Sequence, residues 1–197
     1  MQQIAVTIKL VIFRIDKDEL LVYTKDTHLP SESIIETDSL EEQVKKIFLR
    51  NMGFKLGNNY VDQLFTITNK KNEITIGYYI LLPTDILQTA ISNNWIKASQ
   101  KNSSDKHIIS YAVQRLQWKI EYTNVVYSLL PHSFTLSDLQ KTYEVILGKK
   151  LDKRNFRKKI LSLNFLKPTG EKRIDNTRPA QMYTFIKRSP IMTKVFS

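Results

Sequence analysis

The sequence predicts two domains of different class: an N-terminal α/β domain built on a mixed sheet, and a C-terminal α+β module of three helices closed by a β-ribbon. Three observations carry this expectation. Residues 1–104 hold twelve Lys/Arg against twelve Asp/Glu and residues 105–197 hold eighteen against seven, so the whole net charge of +11 lies in the second part. The apolar residues also change period, from strand-like runs before residue 100 to mostly helical spacing after it. Between the two lies Gln100-Lys101-Asn102-Ser103-Ser104, with the polar composition of a loop or boundary.

Residues 4–13 are rich in β-branched side chains and lead, across Asp16-Lys17-Asp18, into Leu20-Leu21-Val22-Tyr23, which predicts a hairpin buried on at least one face. Over residues 39–52 the period becomes helical, with Leu40, Val44, Ile47 and Phe48 recurring on one side. Ser39 or Asp38 can cap this helix, and Glu41 and Glu42 suit its first turn. Gly53 ends it in the left-handed conformation that costs glycine least. Residues 60–67 and 73–82 predict two more strands around a polar turn at 68–72, and a short element follows at Trp95-Ile96.

In the second part, Ile108, Ala112, Val113, Leu116 and Ile120 fall on one stripe and predict a linker helix over residues 105–118. Residues 122–130 continue as a short helical piece stopped by Pro131. Thr135 or Ser133 then caps a helix carrying Leu136, Leu139, Tyr143, Ile146 and Leu147, terminated by Gly148. Asp152 opens the next helix, whose apolar side is Phe156, Ile160 and Leu163 and which ends near Asn164. Residues 165–168 and 182–186 read as two strands around a long polar turn. Three helices followed by a β-ribbon is the order of a winged helix-turn-helix. The expected organisation is therefore a domain over 1–104, a linker helix over 105–118 and a winged helix over 119–197.

Some chemistry is excluded by composition. There is no cysteine for disulfides or thiolate metal sites, and His28, His107 and His132 lie too far apart to show ligand spacing, so neither a structural metal nor a cofactor is expected. No apolar run approaches the ~18 residues that read as a membrane span, and the N-terminus lacks the pattern of a signal peptide, which predicts a soluble, cytoplasmic protein without a membrane partner.

The basic half points to a polyanion, because Lys and Arg placed near phosphates release condensed counterions. The run from Lys149 to Lys159 contains seven cations and one anion. On a helical wheel Phe156, Ile160 and Leu163 fall within about 60° of one another, with Arg154 and Lys158 nearly opposite and Asn155, Arg157 and Lys159 on the flanks. Such a helix docks by one side and offers the other to the major groove, where Arg can bridge guanine O6 and N7 and Asn can bridge adenine N6 and N7. The expected DNA-contacting residues are Lys153, Arg154, Asn155, Arg157, Lys158 and Lys159 on this helix, Thr135 and Ser137 at the start of the preceding one, and Lys172, Arg173 and Arg178 in the ribbon. One such helix reads few base pairs, which favours a homodimer on a palindromic double-stranded operator.

At this point the residues resemble a known pattern. Phe134-Thr135-Leu136-Ser137-Asp138-Leu139-Gln140, Ile146-Leu147-Gly148, the stretch Leu151 to Ile160, Thr169-Gly170-Glu171 and Arg178-Pro179-Ala180 resemble the winged-helix domain of the Nudix-related bacterial transcriptional regulators. That family includes repressors of NAD biosynthesis and regulators of arabinose or xylose use. The resemblance runs from about residue 108 to 187 and implies an N-terminal Nudix-like α/β/α sandwich. The segment from Leu29 to Phe54 keeps only the outline of a Nudix box: Ser31 and Glu32 stand where a hydrolase has paired glycines, Asp38 replaces the first glutamate, Lys46 the arginine, and Ile47, Arg50 and Asn51 the three metal-associated glutamates. Without those carboxylates a divalent cation has neither oxygen ligands nor a favourable field. The resemblance thus implies a non-catalytic sensor or dimerisation domain rather than an enzyme, with a sugar or an ADP-ribose-like nucleotide as effector and Arg14, Lys25, Arg50 and Tyr79 as candidate contacts.

Two alternatives stay open on the sequence. One is a Nudix hydrolase acting on nucleoside diphosphate derivatives through Asp38, Glu41 or Glu42. The other is a basic interaction protein contacting RNA or an acidic protein.

Overall fold

A computed structural model of the 197-residue chain describes residues 4–34, 39–70, 72–85, 94–100, 103–175 and 178–195. The chain divides into two compact units, one comprising Met1–Arg14, Leu21–Leu82 and Ile91–Ala112, the other Ile15–Leu20, Pro83–Ala90 and Val113–Ser197.

The first unit is organised by a mixed sheet. Its strands are β1 (Ala5–Asp16), β2 (Glu19–Tyr23), β3 (Ser31–Ile34), β4 (Tyr60–Lys70), β5 (Glu73–Leu81) and β6 (Trp95–Lys97), in the order β4-β5-β1-β2-β6 with β3 also paired to β1. β1 lies parallel to β5, and the β1–β3, β2–β6 and β4–β5 pairs are antiparallel. Leu10, Val11, Ile12 and Phe13 are all fully buried, so β1 is covered on both faces and reads as a continuous apolar run instead of an alternation. The connection to β2 is a two-residue turn in which Lys17 and Asp18 both have positive φ, as a tight hairpin with right-handed strand twist requires.

β3 was not expected. Ser31-Glu32-Ser33-Ile34 has little strand propensity of its own, but it pairs with Val6–Lys9 of β1, whose backbone groups on that edge need partners.

Helix α1 (Leu40–Met52) follows its sequence signals. Ser39 is the N-cap, its side chain accepting from the Glu42 amide at 3.3 Å, and Gly53 closes the helix at φ 76°. Val44, Ile47 and Phe48 are buried, with Phe48 meeting Phe54 edge to face at 5.3 Å, whereas Leu40 is 39% exposed and does not belong to the core stripe. Asp38, the alternative cap, lies outside the described residues.

Helix α2 (Lys106–Tyr122) runs four residues beyond the expected end at 118. Its buried stripe is Ile109, Ala112, Leu116 and Ile120; Ile108 and Val113 are only half-buried. Asp105, just ahead of it and 8% exposed, accepts from the Lys9 ammonium at 2.6 Å and the Leu29 amide at 2.8 Å. This ties the start of the helix to β1.

The second unit continues with a 3-10 turn (Val125–Ser128), β7 (Phe134–Thr135), α3 (Leu136–Leu147), α4 (Lys153–Ser162), β8 (Leu166–Asp175) and β9 (Arg178–Phe185), the three strands ordered β7-β9-β8. The expected long turn is mostly strand: β8 runs to Asp175 and β9 begins at Arg178, with only residues 176 and 177 between. Backbone pairing, invisible to apolar periodicity in so polar a stretch, extends the ribbon. Phe134, Phe165 and Tyr127 all pack on Phe185, at ring separations of 5.1, 5.5 and 6.1 Å, and Tyr143 joins α3 to Phe156 of α4 at 5.6 Å. The Arg188 guanidinium donates to the carbonyls of Leu130 at 2.8 Å and Pro131 at 3.2 Å, and so pins the segment after β9 beneath the 3-10 turn.

Candidate nucleic-acid interface

α4 begins at Asp152, whose carboxylate accepts from the Asn155 amide at 2.8 Å and satisfies one of the helix's free N–H groups. Phe156 and Ile160 are 3% and 0% exposed, and dock the helix. Lys153, Arg154, Asn155, Arg157 and Lys158 are all exposed on the other side, and Lys159 is half-buried. The predicted division of this helix into an apolar and a cationic face is therefore realised, with Leu163 only half-buried at its end.

The turn between α3 and α4 is held by Glu144. Its carboxylate accepts from the Leu151 amide, the Gln140 side chain and the Lys150 ammonium, each at 3.0 Å, while the same Gln140 amide group donates to the Leu151 carbonyl at 3.0 Å. The Leu151 amide, then Gln140 and Lys150, hold the carboxyl down to about 2. The angle at which α4 leaves α3 is thus set by a charged hydrogen-bond cluster. Sequence reading missed this residue, and Gln140-x-x-x-Glu144, an i,i+4 polar pair just ahead of the turn, was the available signal.

The start of α3 corrects an expectation. Thr135 is 3% exposed and its hydroxyl accepts from the Asp138 amide at 3.1 Å, while the Asp138 carboxylate accepts from the Thr135 amide at 2.8 Å. This reciprocal capping box employs the buried Thr135 side chain inside the fold, where it caps α3. Ser137, two residues on, is exposed.

The ribbon also divides its cations. Lys172 is exposed. Arg173 instead forms a two-pronged ion pair with Asp138, Nη1 to Oδ2 at 2.8 Å and Nη2 to Oδ1 at 3.0 Å. Burial opposes charge on Asp138, but Arg173 and Thr135 outweigh it and hold the carboxyl below its ordinary range. Arg178 opens β9 opposite Asp175, and its side chain lies outside the described residues.

In the first unit the four candidate effector contacts have four different surroundings. Tyr79 is 1% exposed, its hydroxyl donating to Asp62 at 3.2 Å, so it is a core residue and not a ligand contact. Arg14 is 7% exposed and lies over the Trp95 ring at 4.5 Å, which removes it from the surface as well. Arg50 is exposed and paired with Glu32, and Lys25 is exposed beside a bridge to His28. A groove of about 420 Å³ between α1 and β4 is lined by Glu41, Lys45, Asn59, Asp62, Gln63 and Tyr78, and by none of the four.

Ile47, at one of the glutamate-equivalent positions, is 1% exposed. Glu41 and Glu42 each pair with Lys45 at 2.8 Å, the reverse of an electrostatic invitation to a cation. No group of three or more potential metal ligands occurs among the described residues. No described helix is long and apolar enough to cross a membrane.

Comparison with known proteins agrees with both halves. Residues 126–185 match the NrtR DNA-binding winged helix domain. Over 204 aligned positions, covering 91% of this chain and 81% of the relative, the sequence is 28% identical to the ADPR responsive transcriptional repressor NtrR of Acinetobacter baylyi. The structure resembles that of Shewanella oneidensis NrtR complexed with a 27mer DNA, with TM-score 0.76 and 27% identity over 91% of this chain and 93% of that one. A MutT/nudix family protein from Enterococcus faecalis shares the fold at TM-score 0.72 and 17% identity, over 94% of this chain and 89% of that one.

Proposed function

We propose that this chain, whose residues 126–185 match the NrtR DNA-binding winged helix domain, joins a degenerate Nudix-like domain to that winged helix and is a sequence-specific transcriptional regulator that presents α4 to the major groove of its operator. The observation that carries this is the two-faced α4: Phe156 and Ile160 buried, and Lys153, Arg154, Asn155, Arg157 and Lys158 exposed together. Phosphate contacts by Lys172, Ser137 and the flanking lysines position the domain, and Arg154, Asn155 and Arg157 read base edges. Residues 1–104 form the sensing or dimerisation part, 105–118 couple it to the rest, and 119–197 bind DNA. A homodimer on an inverted repeat, working in the cytoplasm, supplies the specificity that one helix lacks.

The Nudix-like part regulates and does not hydrolyse. Its glutamate-equivalent positions are Ile47, Arg50 and Asn51, and its first-turn glutamates, Glu41 and Glu42, both pair with Lys45. An ADP-ribose-like nucleotide is the favoured effector, because the curated relative is ADPR responsive. It would alter operator affinity to the extent that it binds the DNA-compatible and DNA-incompatible states unequally.

The test is selection of bound fragments from genomic DNA, followed by titration of the selected duplex against random duplex and folded RNA across a salt series. Discrimination of the selected duplex should survive competitor DNA. Equal binding to all three at every salt concentration would leave only a polyanion binder.

A further inference from the structure

Distal to its first pairs, the ribbon is held by its backbone ladder and by the Gln181 side chain, which donates to the Glu171 carbonyl at 3.1 Å. β7 pairs only with Met182 and Tyr183 of β9, and the β8–β9 register shifts between Pro168 and Lys172, where Gly170 takes φ 85°. Beyond that bulge, residues 172–175 and 178–181 form a two-stranded extension, an arrangement of marginal stability in water. The Arg173 guanidinium reaches from this extension to α3 and meets Asp138 with both prongs. Asp138 is itself fixed, because it is half of the capping box with Thr135. A bidentate fork specifies direction as well as distance, and here it joins the wing to the first turn of the helix that carries α4.

We propose that the Arg173–Asp138 pair is a strut that sets the wing's reach relative to α4, so that Arg173 is a positioning residue and Lys172, exposed next to it, makes the phosphate contact. The inference rests on α4 being the DNA-facing helix. Moving Arg173 to a phosphate would break the fork and leave a partly buried carboxylate without its cationic partner, an arrangement penalised by desolvation. The strut therefore persists in the complex. It also reverses a simple electrostatic expectation: neutralising Asp138 makes the protein more basic, yet should weaken specific binding.

The experiment uses the full chain with its selected duplex and a random duplex, comparing wild type with Arg173→Gln, Asp138→Asn, Asp138→Glu and the Arg173→Gln/Asp138→Asn double variant. Arg173→Gln leaves the capping box intact, and Asp138→Asn keeps an amide oxygen for the Thr135 amide. Arg173→Gln and Asp138→Asn should each weaken selected-duplex binding by about tenfold and random-duplex binding by less than about twofold, with an unchanged salt slope. The double variant should be no worse than the worse single one, and Asp138→Glu, which keeps both carboxylate and cap, should restore most of the affinity. The strut is overturned if Arg173→Gln lowers the salt slope by about one phosphate's worth and weakens both duplexes equally, which marks a direct contact. Additive single effects, tighter binding by Asp138→Asn, or wild-type affinity for Arg173→Gln overturn it too. Failure of the wild type to discriminate the two duplexes sinks the DNA-reading function itself, a different result from any of these.

Discussion

The Glu144 carboxylate accepts the Leu151 backbone amide at 3.0 Å, so a side chain in the last turn of α3 holds the start of the segment that becomes α4. Gly148 makes the turn possible at φ 66°, and Glu144 makes it one particular turn.

That relationship predicts a pH dependence. The folded Glu144 carboxyl lies at about 2, below its ordinary 4.5, so its contribution is complete above about pH 4.5 and is lost as pH falls toward 2. Glu144→Gln should lower the thermal midpoint at pH 7, and the gap to wild type should narrow steadily as the melts are repeated from pH 5 to pH 3. A gap independent of pH would mean that the charge contributes nothing.

Base reading and phosphate anchoring should separate by residue. Arg154→Ala should cost about 1–3 kcal/mol on the selected duplex and relax preference at one position, whereas Lys172→Ala should weaken selected and random duplex about equally. Binding titrations against a set of single-base variants measure both. Equal loss on every duplex for Arg154→Ala would remove it from the base-reading set.

Thr135 should behave as a helix cap. Thr135→Ala is expected to destabilise the protein by about 0.5–2 kcal/mol in denaturant melts, and Thr135→Ser to retain most of the stability, with the salt slope of DNA binding unchanged for both. A reduced slope with unaltered stability would return Thr135 to the phosphate contacts.

In the first unit the strand pair Phe65–Gly77 makes a stringent packing test. A Cβ built at Gly77 would lie 2.6 Å from the Phe65 ring, which is also 6.4 Å from the ring of Tyr111. Gly77→Ala should therefore cost about 1–3 kcal/mol through overpacking, and adding Phe65→Leu should recover part of it. Circular dichroism melts of Gly77→Ala, Phe65→Leu and the double variant decide the matter, an additive double variant being the outcome that removes the contact from the account.

Much of this molecule was legible from local chemistry. Ser39 and Gly53, Thr135 and Gly148, and Asp152 each bound a helix because capping depends on a few adjacent residues, and Phe156 and Ile160 predicted which side of α4 would dock because helical period is a local property. The candidate interface on α4 follows from the same periodicity. β3 and the full length of the ribbon were not legible, since polar strands such as Ser31–Ile34 exist only because another backbone needs partners.

The sequence by itself determined the charge asymmetry between its two halves and the cationic face of α4, which depend on residue identity and short-range spacing. Tertiary structure alone decided which charges are free to meet a ligand. Arg173 lies thirty-five positions from Asp138 and is paired, Lys172 beside it is exposed, and Arg14 and Tyr79 are enclosed. Burial and ion pairing are set by what the chain brings together from far away, and no local pattern encodes them.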